Sequence, residues 1–230
     1  MSAAGAPVVL AFDTAGSACS VALGRGEAVL AHERRAMRYG HAEALLPMID
    51  RVATAAGLAP DEIDMVAVTV GPGGFTGIRA GLAAAHGLAL AAGARLVGIS
   101  SFAAVAAGFS DGEPRLLVAL DSRRADLYVQ LFGARRAPVG EPAAVPPERL
   151  AAWAGDGELA IAGDAVEAAI GALGPHRKPK IWPNSAPDAL GVLAALRRWP
   201  DRTDPLARPL YLRPPDVSFP KAQRGTGQPA

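Results

Sequence analysis

Val8-Val9-Leu10-Ala11-Phe12-Asp13-Thr14, followed by the small polar turn Ala15 to Ala18 and the run Ser20 to Leu23, is the stretch on which the fold turns. An apolar run that ends in an aspartate, turns within a few small residues and resumes as a second apolar run reads as a β-hairpin. The succession returns in the second half of the chain. Leu116 to Leu120 is apolar, Asp121 closes it, Ser122 to Ala125 turns the chain, and Asp126 to Phe132 reads as a strand. Two unrelated hairpins would produce the same pattern, but the echo suggests two related lobes.

Working outward from the first hairpin, Gly24-Arg25-Gly26-Glu27 is a turn into a third strand, Ala28 to Glu33. From His41 to Ala56, Leu45, Met48, Ile49, Val52 and Ala56 recur at helical spacing, and Gly57 sits at the C-cap position. Pro47 inside that pattern predicts a kink unless the helix starts just before it. Met65 to Val70 is apolar enough for a strand buried on both faces. The loop Gly71-Pro72-Gly73-Gly74-Phe75-Thr76-Gly77-Ile78-Arg79 leads into an Ala-rich helix to about Ala92, a stop at Gly93 and a strand from Leu96 to Ile99. A meander followed by β-α-β connections predicts an α/β protein with mixed sheets flanked by helices. The second half is less sharply patterned. Pro138 to Pro147 reads as a Pro-rich connection, Leu159 to Ala162 as a short strand, Asp164 to Leu173 and Asp188 to Trp199 as helices. Pro205 to Pro215 reads as extended chain.

The chain has 230 residues, half of them apolar and one-fifth charged, enough for a substantial core. With 23 Lys and Arg against 22 Asp and Glu, the net charge is +1. That balance excludes a surface clamped to nucleic acid by bulk charge. The arginines near Arg197, Arg198, Arg202, Arg208 and Arg213 read as a solvated face more readily than as a nucleic-acid patch. A single cysteine, Cys19, excludes a disulfide framework and fits a reducing, cytoplasmic setting. The longest uncharged stretches, Leu82 to Ala94 and Leu96 to Ser110, fall short of the roughly 18–20 apolar residues of a membrane span. No Lys or Arg precedes the N-terminal apolar run, which reads as a strand and not as a signal peptide.

The Gly-rich loop before a helix has the setting of an anion site, but it is neither a P-loop nor a dinucleotide fingerprint. Glycines that allow a tight turn and close packing explain it as well. Gly77, Gly81, Ala85, Ala89 and Gly93 follow at intervals of four and form a stripe almost without side chains. Such a stripe lets another helix approach closely, within the chain or between chains. Asp13 and Asp121, each closing a strand at a hairpin, face a shared cleft and hold a metal-nucleotide, or they are turn carboxylates satisfying backbone amides. The four histidines lack the spacing of a helical metal pair. Ser100-Ser101 reads as a helix cap, and Cys19 has no nucleophile signature.

Leu10 to Ala15 with Ala18 to Leu23, His41-Ala42-Glu43-Ala44-Leu45-Leu46-Pro47, the Gly71 to Arg79 loop and Tyr211-Leu212-Arg213 closely resemble the TsaB (YeaZ) family. These proteins are subunits of the bacterial machinery that makes tRNA threonylcarbamoyladenosine. The resemblance runs in order over nearly all of residues 8 to 215. It departs at Gly74, where the family usually has Ser. It implies the two-lobed actin/Hsp70/sugar-kinase fold, with an N-terminal lobe over 1–104, a C-terminal lobe over 105–215 whose end packs back on the first, and a disordered tail over 216–230. It also implies a non-catalytic scaffold, cytoplasmic, that pairs with its paralogue TsaD in an assembly joined by TsaE. TsaD transfers threonylcarbamoyl to N6 of the adenosine after the anticodon. The metal-binding His-x-x-x-His of TsaD-like proteins falls on Ser101 and Val105 here, which cannot replace two imidazoles. The implied roles are therefore no cofactor on this chain, ATP and metal on the partner subunits, tRNA contact only indirect, and a homodimer when TsaD is absent. The implied interface is the helix after the Gly-rich loop with the helix from His41, and the residues expected in it are Leu45, Met48, Ile49, Gly77, Gly81 and Ala85. The residues expected toward a nucleotide are Asp13, Thr14 and Asp121. The alternative is an ATPase or small-molecule kinase of the same fold using Asp13 and Asp121 on Mg-nucleotide. A metallopeptidase reading fails for want of a ligand set.

Overall fold

The computed structural model describes residues 5–111, 114–182 and 185–213. The tail expected over 216–230 lies outside them. The first half runs β1 (Val8–Asp13), β2 (Ala18–Arg25), β3 (Ala28–Ala36), α1 (His41–Ala56), β4 (Met65–Gly71), α2 (Phe75–Ala92), β5 (Arg95–Ser100) and α3 (Ser101–Ala106). The second half runs β6 (Arg115–Asp121), β7 (Leu127–Phe132), β8 (Pro138–Val145), α4 (Pro147–Ala154), β9 (Leu159–Ala162), α5 (Val166–Leu173), β10 (Lys180–Ile181) and α6 (Ala189–Arg198).

Each half forms one five-stranded mixed sheet. The strand orders are β3-β2-β1-β4-β5 and β8-β7-β6-β9-β10. Strand for strand the second repeats the first: antiparallel hairpin partners on one side of the central strand, parallel strands reached through helices on the other. This duplicated order is the two-lobed actin/Hsp70/sugar-kinase arrangement. The hairpin echo at Asp13 and Asp121 is thus a repeat of the whole lobe.

Burial explains where the helices sit. All seven residues of β4 are buried, as its continuous apolar run requires between two covered sheet faces. On one face α1 and α2 lie side by side and bury Leu45, Met48, Ile49, Val52, Ile78, Leu82 and Ala85 against Leu10, Phe12, Val21 and Val68. On the other, α3 and α6 bury Ala104, Ala189, Val192 and Leu193 against Ala11, Ala22 and Ala67. Helix α6 comes from the second half of the sequence, so the chain returns to its first sheet. Asp188 starts that helix, its carboxylate accepting from the Gly191 amide at 2.8 Å. After α6 the chain continues along the first sheet: Gly98 and Asp204 exchange both backbone hydrogen bonds (2.8 and 3.0 Å), and the Leu210 amide donates to Val70 at 2.8 Å.

Three local expectations change. Pro138 to Val145, expected as a connection, is the edge strand β8, where Pro138 and Pro142 are tolerated because an edge leaves one row of amides unpaired. Helix α1 runs unbroken from His41 to Ala56 with Pro47 in its second turn. Helix α2 has the length and apolarity of a short membrane span, with 18 residues at a mean hydropathy of 1.2. It is nevertheless the crossover between parallel strands β4 and β5, with its inner face in the core.

Candidate functional site

The helix–turn contact beside β1 explains the Gly-rich loop. The Gly74 amide donates to the Ala15 carbonyl at 2.8 Å, and the Thr14 hydroxyl donates to the Gly77 carbonyl at 2.8 Å. A Cβ on Gly77 would lie 2.0 Å from the Thr14 carbonyl oxygen, and one on Gly81 2.3 Å from the Thr14 hydroxyl. Both distances are far inside contact. Gly77 and Gly81 of α2 are therefore covered by the chain's own β1–β2 turn, and the close approach at these two positions is intramolecular.

The residues expected in an interface lie mostly inside the lobe. Leu45, Met48, Ile49, Gly81 and Ala85 are buried inside the first lobe, and Gly77 is half-buried under Thr14. The first five expose little or no surface in the isolated chain, while Gly77 borders a groove with His41 and Phe75. Thr14, expected toward a nucleotide, is 1% exposed and its hydroxyl donates to the Gly77 carbonyl of α2. The outward faces of the same two helices carry different residues. On α1 they include Leu46, 54% exposed, with Glu43, Pro47, Asp50 and Arg51; on α2 they include Ala83, His86, Gly87, Ala91 and Leu90, which is 85% exposed. A Cβ added to Gly87 meets nothing within 4 Å. The spacing of Leu46 and Leu90 off the buried stripe was the available signal, hidden by the stronger stripe of glycines.

Between the lobes lies a cleft of about 700 Å³ bordered by Ala15 to Ser17, Ala36 to Tyr39, Asp121, Arg123, Asp164 and Pro187. Asp121 stands on it and is exposed. Its carboxylate accepts from the Arg123 amide at 2.6 Å, and its own amide donates to Asp164 at 2.8 Å. Burial pushes the Asp164 carboxyl above the usual range, with the Asp121 charge adding to the effect. Arg123 reaches across the cleft to the Gly16 carbonyl at 3.2 Å, tying the β6–β7 turn to the β1–β2 turn.

Asp13 is not a cleft residue in the same sense. It is fully buried; one carboxylate oxygen accepts from the Thr69 hydroxyl at 2.6 Å and the Ala15 amide at 3.2 Å, while Oδ2 has no partner. Burial pushes its pKa to about 7. His41, at the start of α1, is also buried with Nε2 unpartnered, and burial together with the nearby Arg123 lowers its pKa. Ser101 and Val105 lie on α3, both buried. Among the described residues no group of three or more His, Cys, Asp or Glu side chains is placed to share a metal ion. Arg123 and Asp164 were missed in the sequence because nothing local marks a residue that acts across a cleft.

A family model described as "TsaD: tRNA N6-adenosine threonylcarbamoyltransferase" matches residues 34–180. The Escherichia coli protein named tRNA threonylcarbamoyladenosine biosynthesis protein TsaB is 39% identical over 122 residues, which is 52% of this chain and 52% of that protein. The match therefore spans about half the length of that relative. An uncharacterized protein of Mycobacterium tuberculosis is 36% identical over 217 residues, covering 91% of this chain and 93% of the relative. Among solved structures, YeaZ from Pseudomonas aeruginosa superposes with a TM-score of 0.76 at 29% identity, covering 90% of this chain and 100% of that one.

Proposed function

The chain belongs to the TsaB (YeaZ) family, and from that premise we propose that it is a non-catalytic subunit of the complex that adds threonylcarbamoyl to N6 of the adenosine following the anticodon in tRNA. In this reading it works in the cytoplasm, pairs with TsaD, joins an assembly that includes TsaE, touches tRNA only indirectly, and forms a homodimer when TsaD is absent. ATP and metal belong to the partner subunits.

The observation that carries the reading is the outward face of α1 and α2. Leu90 stands 85% exposed beside the near-bare positions Ala83 and Gly87, with Leu46 exposed on the neighbouring helix. Large exposed aliphatic residues next to Ala and Gly let another helix pack closely, and an apolar face of this kind marks an interaction surface. The chemistry around β1 supports a supporting role. The Thr14 hydroxyl is committed to α2, Asp13 is sealed under the surface, and Arg123 bonds across the cleft.

A second reading, an ATPase or kinase using Asp121 with Asp13, draws on the 700 Å³ cleft between the lobes. Reconstitution separates the two. Supplied with threonylcarbamoyl adenylate and ATP, TsaD and TsaE with this chain should modify tRNA, the same mixture without it should not, and Asp121→Ala should retain most of the activity. ATP turnover by the isolated chain, abolished by Asp121→Ala, would decide for the kinase.

A further inference from the structure

Helices α1 and α2 start beside one another, and neither start is closed by a capping side chain. Gly40 and Gly74 occupy the two N-cap positions. Amides in the first turn of a helix have no acceptor within the helix, which applies to Ala42 and Glu43 on α1 and to Thr76 and Gly77 on α2. Residues Gly40 to Glu43 and Gly74 to Gly77 line one groove of about 390 Å³. Two positive helix ends therefore border a single space.

A side chain in the same wall makes the groove more than a pair of helix ends. His41 opens α1, lines the groove and is 8% exposed, and its Nε2 has no hydrogen-bond partner among the described residues. A buried ring nitrogen left in this way costs free energy that a ligand can restore. Burial, with the Arg123 charge behind it, holds the His41 pKa below its usual value, so the ring is neutral at pH 7. The Gly16 backbone favours a ring proton, and takes it at Nδ1 because Nε2 is the nitrogen without a partner. That leaves Nε2 with a lone pair, an acceptor of hydrogen bonds. Three charged side chains also border the groove. Arg123 is engaged by the Gly16 carbonyl at 3.2 Å, and Arg38 is exposed with its guanidinium 5.6 Å from the centre of the Tyr39 ring. Glu43 is exposed and opposes an anion.

The two kinds of group set a joint requirement. Amides from two helices need acceptor atoms, while Nε2 needs a donor on the same ligand. A carboxylate or a sulfate supplies acceptors alone. A phosphate group that carries one proton supplies both, and phosphate esters titrate near pH 6, so that form is at hand near neutrality. Helix starts are a common setting for phosphate. The volume lies near the lower end of the roughly 300–1,000 Å³ of small-molecule sites, which leaves room beside the Tyr39 and Phe75 rings for a small organic part. We propose that this groove binds a singly protonated phosphate group, as inorganic phosphate or as the head of a small phosphomonoester. Its hydroxyl donates to His41 Nε2, and its other oxygens accept from the first turns of α1 and α2. The proposal does not depend on the pairing of the outer faces of these helices with TsaD.

Amide chemical shifts of the full chain, titrated at pH 7 and constant ionic strength with inorganic phosphate, phenyl phosphate and sulfate, test it. The tighter of the two phosphates should bind with Kd about 1 mM or below. Sulfate, a tetrahedral dianion without a proton, should bind about tenfold more weakly or worse. Shifts should gather at Gly40 to Glu43, Thr76 and Gly77. His41→Phe keeps a ring without the nitrogen and should weaken phosphate by about tenfold. If that variant fails to fold, the exposed charges carry the test. Arg38→Gln should weaken binding roughly threefold and Glu43→Gln should tighten it by a similar factor, opposite signs that a general loss of structure would not produce. Tighter binding of phenyl phosphate assigns the head of an ester, and phosphate binding at least as tightly assigns the inorganic ion. No binding, sulfate binding as tightly as phosphate, or shifts confined to Ser17, Asp121 and Asp164 in the neighbouring cleft would overturn the proposal.

Discussion

Asp13 carries an unfavourable ionisation that the rest of the lobe supports. Burial raises its pKa from 3.8 to about 7, so the folded state binds this proton more tightly than the unfolded chain does. Below pH 4 both states are protonated and the group costs nothing. As pH rises from about 4 to 7 the unfolded state ionises first, and stability falls until both states are charged. Asp13→Asn keeps an acceptor for Thr69 and Ala15 and removes the charge. It is expected to raise unfolding free energy at pH 8 by on the order of 2 kcal/mol, with the gain vanishing toward pH 4 in urea titrations. A loss at pH 8 would show that the ionised form is the one the fold stabilises. Gly77 is the second decisive residue. Gly77→Ala places a methyl 2.0 Å from the Thr14 carbonyl oxygen, so destabilisation of about 3 kcal/mol is expected from backbone displacement. Thermal unfolding would check it, and an unchanged Tm would mean that α2 does not seat on the β1–β2 turn.

At the scale of elements, α3 and α6 pack on each other over the first sheet, and Gly191 is where their backbones meet. A Cβ there would lie 2.3 Å from the Ala104 carbonyl oxygen. Gly191→Ala is therefore expected to cost about 2–3 kcal/mol in chemical denaturation, while Gly87→Ala, facing open space, should gain up to about 1 kcal/mol from helix propensity. Equal effects at the two sites would contradict the assignment of inner and outer helix faces. Elements with strong periodicity were legible in the sequence: β1, β4, α1 and α2 follow from their apolar patterns, and the Asp13 and Asp121 hairpins announce the repeat. The edge strand β8 was not, because prolines mask a strand that needs only one row of hydrogen bonds. The glycine stripe shows the same limit from the other side. Its spacing correctly signals close approach to α2, but periodicity on one helix does not say what approaches it. The contact came from Thr14, 63 residues away from its bonded partner Gly77, and such pairings exist only once the chain is folded. Arg123 and Asp164 escaped notice for that reason.

At the scale of the whole molecule, the second half of the chain repeats the first and then returns through α6 and residues 204–213 to cover and brace it. The sheet face under α1 and α2 is covered from within, and the proposed pairing with TsaD uses the outer sides of those helices. The most direct measurement is the mass, by light scattering after size exclusion, of the chain mixed with TsaD, for the wild type and for Leu90→Glu. The account predicts a stable heteromer for the wild type and its loss in the variant. The variant should remain folded, with a stability change within about 0.5 kcal/mol for so exposed a position. A heteromer that forms equally well with Leu90→Glu, or no heteromer with the wild type, would contradict the pairing of this face with TsaD.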